Sequence, residues 1–82
     1  HMNTKTKTAS IRLYNDKVHS QKEVMLMLMK LLGHGPDQAM QCIVIIETKG
    51  SYTVREDVDP TIAFDLIGAM DLAGYKAELE FN

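Results

Sequence analysis

Between Ser10 and Glu23 the chain changes from a two-residue to a helical periodicity across one short polar turn, and this restricts its fold more than any other feature. From Ser10 to Asn15 apolar and polar residues alternate, with Ile11 and Leu13 on one side and Arg12 and Tyr14 on the other, as in a half-buried strand. Ser20-x-x-Glu23 then forms a capping-box pattern ahead of a long apolar run. The Ser20 side chain caps a free amide of the first turn while Glu23 reaches back, so the spacing predicts a helix over about 21–32. Its expected core face is Val24, Leu28, Leu31 and Leu32, with Met25, Met27 and Met29 covering much of the rest. Asn15-Asp16, left between the two elements, sets an amide beside a carboxylate at an exposed turn. Such pairs often do no more than close a turn after a strand.

Gly33-His34-Gly35 breaks the first helix, and Pro36 suits the first turn of another. From Asp37 to Thr48 two signals compete. Cys42-Ile43-Val44-Ile45-Ile46 has strong strand propensity, whereas Pro36, the acidic Asp37 and Gly50 punctuate a helix. Local sequence leaves these readings nearly even. Tyr52-Thr53-Val54 alternates as a short strand, and Asp59-Pro60 starts a further helix that Gly74 stops. Within it Ile62, Ala63, Leu66, Ile67, Met70 and Ala73 recur at helical spacing. Tyr75, Ala77, Leu79 and Phe81 then alternate with Lys76, Glu78 and Glu80 as a last strand. With a helix at 37–48 the order is β-α-α-β-α-β. That order predicts a small α+β two-layer sandwich, with helices on one face of a mainly antiparallel three-stranded sheet.

Eighty-two residues support one core and one domain, expected over residues 9–82. Residues 1–8 are expected to be a tag remnant, His1-Met2, followed by a flexible polar tail. Nine basic against eleven acidic residues leave a net charge of −2, which argues against a general nucleic-acid binder. The single cysteine, Cys42, excludes an internal disulfide framework and suits a reducing cytoplasm. No apolar stretch reaches the roughly 18 residues of a membrane helix. His19 and His34 have no cysteine or histidine partners at ligand spacing, so no metal and no cofactor is expected. Cys42 lies in an apolar run and reads as core rather than as a nucleophile.

Asn15-Asp16, the helix that follows it, Ala39 in the second helix, Gly50 after it and the closing Gly74-Tyr75-x-Ala77-Glu78-Leu79 strand occur together in a characteristic order. With His34-Gly35-Pro36-Asp37-Gln38-Ala39-Met40-Gln41-Cys42, they make the chain from Ile11 to Glu80 resemble ClpS. Members of that family are small adaptors that present proteins with a bulky N-terminal residue to a Clp-family unfoldase. The resemblance implies a helix for the ambiguous Asp37–Thr48 segment and a non-catalytic role. It also implies two partners: N-degron substrate proteins and the N-terminal domain of a Clp-family AAA+ unfoldase. No nucleic acid or membrane partner is implied, and a monomer is expected.

Carried over residue by residue, the resemblance assigns Asn15 and Asp16 to the substrate α-amino group. An N-terminal ammonium has a reference pKa of about 7.7–8.0, so it is mostly charged at neutral pH and donates to an amide oxygen and a carboxylate. Val24, Ile43, Ile46 and Tyr75 map onto the apolar pocket for the first side chain, although Val24 and Ile43 read equally well as ordinary core. Three positions depart from the family. Glu47 stands where a histidine usually helps to hold the amine, His19 replaces a small hydroxyl residue, and Gln21 replaces an apolar gatekeeper at the pocket entrance. Glu47 is expected either to attract the amine directly or to oppose Asp16. Asp57 maps onto the acidic unfoldase contact, and a basic position of that surface falls near Ile62. The alternative is a protein-docking domain of the same fold that has lost or changed N-degron recognition.

Overall fold

The computed structural model describes residues 7–81. Most of the N-terminal tail expected at 1–8 therefore lies outside the described residues. The order is β1 (Ala9–Tyr14), α1 (Gln21–Lys30), α2 (Pro36–Lys49), β2 (Ser51–Val58), α3 (Pro60–Leu72) and β3 (Ala77–Phe81). The strands form one sheet in the order β2-β1-β3, and both pairings are antiparallel. The expected α+β sandwich is thus the observed fold.

β1 is central because both of its edges are paired, one with β2 and the other with β3. Ala9, Ile11 and Leu13 are buried, and they join Leu28 and Leu32 from the α1 region, Ala39, Cys42, Ile43 and Ile46 of α2, Val54 and Val58 of β2, and Ala63 and Met70 of α3. On the other face Arg12 donates to Glu80 and Ser51, both at 3.0 Å, and the Tyr14 hydroxyl donates to Glu78 at 2.7 Å. These polar contacts fix the strand order from the solvent side.

The capping box forms as read: the Glu23 amide donates to Ser20 Oγ at 3.1 Å, and Glu23 Oε1 accepts the Ser20 amide at 2.6 Å. Such caps contribute about 1 kcal/mol. In α2 the β-branched run is helical. Ala39, Cys42, Ile43 and Ile46 fall at helical spacing on the buried side while Val44 points outward, so core burial overrides strand propensity. Gly50 ends α2 in the left-handed region, at φ 94°, where a side chain would be strained.

Two local expectations change. β2 runs over eight residues rather than the three of Tyr52–Val54, because β1 pairs with it as far as Val58 across two register shifts. Of the α3 residues that recur at helical spacing, Ile62 is 55% exposed and Ala73 is an exposed C-cap. Tyr75, expected to begin the last strand, lies in the loop before β3, where its amide donates to Met70 at 3.0 Å.

Candidate functional site

Two backbone hydrogen bonds set the position of the Asn15-Asp16 turn. The Tyr14 amide donates to the Lys76 carbonyl and the Asn15 amide to the Gly50 carbonyl, both at 2.9 Å. The turn is thereby held between the C-terminal end of α2 and the loop preceding β3. A cleft opens there, lined by Leu13, Tyr14, Asn15, Asp16, His19, Val24, Ile43, Ile46, Glu47 and Tyr75. Its cavity volume is about 40 Å³. Asn15, Asp16, Glu47, Val24, Ile43, Ile46 and Tyr75 are therefore brought together although they come from four separate segments. Asp57 is not among the lining residues; it sits in β2 at a left-handed φ of 55°, and its carboxylate accepts from the Thr8 hydroxyl at 3.3 Å.

Asp16 is tightly engaged. Its Oδ1 accepts the amides of Val18 at 2.9 Å and His19 at 2.8 Å, which closes the turn and feeds the chain into α1. Its Oδ2 lies 2.9 Å from His19 Nδ1. Partial burial pushes the Asp16 carboxyl up, but the His19 amide, the His19 ring and the Val18 amide together outweigh it and hold the carboxyl below its ordinary 3.8. Asp16 therefore closes the turn and is also among the residues lining the cleft.

His19, expected at the pocket entrance, is among the residues lining the cleft, and its side chain is 11% exposed. Its ring stacks on Tyr75 with centroids 3.7 Å apart and planes 13° from parallel. Its Nε2 lies 2.9 Å from the Ala73 carbonyl at the end of α3. Gly74 beside it sits at a left-handed φ of 85°; a Cβ there would make only ordinary contact with His19 Cε1, at 3.5 Å, so the backbone conformation rather than crowding calls for glycine. Both ring nitrogens thus face acceptors. A neutral imidazole has one N–H and satisfies one of them; the imidazolium satisfies both. The Asp16 bond raises the His19 pKa above its ordinary 6.5, partial burial opposes this, and the Ala73 carbonyl and the charges of Asp16 and Glu23 reinforce it.

Gln21, expected at the pocket entrance, is not among the lining residues; its Nε2 donates to both carboxylate oxygens of Glu47, which is, at 3.2 and 3.4 Å, bridging the start of α1 to the end of α2. Leu13 and Tyr14, which sequence reasoning placed only in the strand, also line the cleft. Burial raises the Tyr75 phenol above its ordinary 10.0, helped by the negative charges of Glu23 and Asp16, so the ring enters the cleft wall neutral. The cleft is thus lined by aliphatic and aromatic side chains together with two carboxylates, Asp16 and Glu47, and one histidine, His19. Among the described residues no group of three or more His, Cys, Asp or Glu is arranged to hold a metal ion. No helix among them is long and apolar enough to cross a membrane.

No curated protein matches this chain. Among solved structures, Agrobacterium tumefaciens ClpS2 bound to L-phenylalaninamide superposes with a TM-score of 0.83 over 95% of this chain and 100% of that one. At 21% identity that likeness establishes the fold. Residues 4–59, more than half of the sequence, match the family described as ATP-dependent Clp protease adaptor protein ClpS. The chain belongs to the ClpS family.

Proposed function

We propose that this protein is a non-catalytic adaptor that captures the free N-terminus of substrate polypeptides whose first residue is bulky and hydrophobic, and delivers them to a Clp-family AAA+ unfoldase. The observation that carries the reading is the mixed lining of the cleft: the carboxylates of Asp16 and Glu47 beside the side chains of Val24, Ile43, Ile46 and Tyr75. An amino-terminal residue combines the same two characters, an ammonium beside an apolar side chain. L-Phenylalaninamide, the ligand of the Agrobacterium tumefaciens relative, is chemically such a residue, with a free amine, an aromatic side chain and an amide in place of the carboxylate.

In this reading Asn15 and Asp16 receive the ammonium, with Glu47 as a third contact. Charge-assisted hydrogen bonds contribute roughly 1.5–3 kcal/mol each. Burying a Leu or Phe side chain adds about 1.5–3 kcal/mol. After ordering costs, the sum is compatible with micromolar binding, which needs about 8 kcal/mol. The adaptor acts as a cytoplasmic monomer, and the surface around Asp57 meets the unfoldase. A second reading, a docking domain without N-terminal recognition, is favoured by one feature: Asp16 and Glu47 already have internal partners in His19 and Gln21.

The test is a polarisation titration with fluorescent peptides beginning with Phe, Leu, Tyr or Trp, each beside its N-acetylated copy. Micromolar binding that acetylation abolishes supports capture of a free amine. Equal binding of both copies, or none, favours the docking domain.

A further inference from the structure

Asp16 has little acceptor capacity left for a ligand. Oδ1 holds two backbone N–H groups, and its side chain is 19% exposed. Oδ2 faces the His19 ring at 2.9 Å, so an incoming ammonium must share this oxygen with the ring or displace it. The two backbone bonds orient the carboxylate whether or not the ring is present. The ring is therefore not needed to aim Asp16, and its contact with Oδ2 opposes a second cation.

Charge balance points the same way. Asp16 and Glu47 against a protonated His19 leave one net negative charge in the cleft, and deprotonation of His19 doubles it. The groups facing the ring are Asp16 from the turn, Glu23 from α1, the Ala73 carbonyl from the end of α3 and the Tyr75 ring stacked on it. Among these, Asp16 is the one a substrate ammonium also contacts.

We infer that His19 is an internal competitor for the substrate ammonium, so that capture of a free N-terminus releases the His19 proton to solvent and binding tightens as pH rises toward neutrality. The inference rests on the cleft being a free-amine site. When the ammonium arrives, the Nδ1–H proton leaves for the buffer, Nε2–H stays on the Ala73 carbonyl, and Oδ2 turns its capacity to the ligand. At acidic pH the protonated ring holds Asp16 and the site discharges its peptide.

A Phe-initiated fluorescent peptide titrated between about pH 5.5 and 7.5, below the range where its own amine titrates, reads this directly. The wild-type Kd should fall with pH, by at most about tenfold per unit for one proton released. His19→Gln, which keeps a donor toward Asp16 but does not titrate, should bind with a nearly flat profile. An equal slope in both proteins overturns the inference while leaving amine capture intact. Absence of binding by either protein at every pH overturns both. NMR titration of the His19 ring in the wild-type protein covers a variant that fails to fold: saturating peptide should lower the ring's pKa, and an unchanged value overturns the inference.

Discussion

Replacing Asp16 with Asn separates folding from ligand capture, because the two oxygens of this carboxylate have different duties. An Asn oxygen in the place of Oδ1 still accepts the Val18 and His19 amides, so the turn closes. The amide nitrogen takes the place of Oδ2 and presents N–H groups to His19 Nδ1 and to the cleft. His19 accommodates this as the neutral tautomer that accepts at Nδ1 and donates from Nε2 to the Ala73 carbonyl. The stability cost is then confined to one partly exposed ion pair, about 1 kcal/mol at most. For a domain of this size that is a Tm decrease of no more than about 4–8 °C. Binding suffers more, since a charge-assisted acceptor worth roughly 1.5–3 kcal/mol becomes a donor facing an ammonium. The expected loss of peptide affinity is about 10- to 150-fold. Asp16→Ala, which leaves both backbone amides without an acceptor, should cost about 2 kcal/mol of stability and lower Tm by about 8–16 °C. Polarisation titrations beside thermal melts of the three proteins read both quantities. A folded Asp16→Asn protein that binds a Phe-initiated peptide within about threefold of wild type would refute the assignment of Oδ2 to the ammonium.

Three further outcomes follow from the same geometry. The His19 pKa is raised above 6.5, so its contribution to stability is complete below that value and is lost as pH rises through the folded-state value. The Asp16 pKa is lowered below 3.8, so its contribution is complete above that value and is lost as pH falls through the folded-state value. Thermal melts of the ligand-free protein should therefore show both contributions in full between 3.8 and 6.5, and His19→Gln should remove the decline on the alkaline side. His34→Ala should lower Tm by about 10 °C or more, because it strips the 2.8 Å ring bond from the Val54 carbonyl in a buried site, while peptide affinity measured well below Tm stays unchanged. Glu47→Gln should weaken peptide binding about 2- to 5-fold, as expected for an exposed charge contact at the cleft mouth, and leave the melt unchanged.

The architecture was legible because several signals agreed locally. Ser20 and Glu23 fixed the start of α1, Pro36 and Gly50 bounded α2, and Asp59, whose carboxylate accepts the Thr61 and Ile62 amides, opened α3. Cys42–Ile46 stayed ambiguous from its residues because propensity and pattern disagree there; only tertiary burial of Ile43 and Ile46 decides, and family resemblance supplied that information in advance. In α3, which is apolar on nearly all sides, Ile62 is exposed along with Phe64 at 70% and Leu72 at 91%, so periodicity does not single out its core face. The cleft-lining residues other than Leu13 and Tyr14 were named from the resemblance, yet their mutual contacts were not. The stacking of His19 on Tyr75 joins residues 56 positions apart through a loop conformation that no local pattern encodes. Gln21 and Glu47 were flagged separately as departures, and only the crossing of α1 and α2 makes them one bridge.

The central claim is that one cleft receives a free amino terminus, and mapping the ligand onto individual residues tests it most directly. Backbone amide NMR spectra of the protein titrated with a Phe-initiated peptide and with its N-acetylated copy should diverge. The free peptide should shift Asn15, Asp16, His19, Glu47 and Tyr75 together, and the acetylated copy should leave them in place. Shifts that appear equally with both peptides, or that cluster on the outer face of α2 around Met40 and Val44, would contradict it.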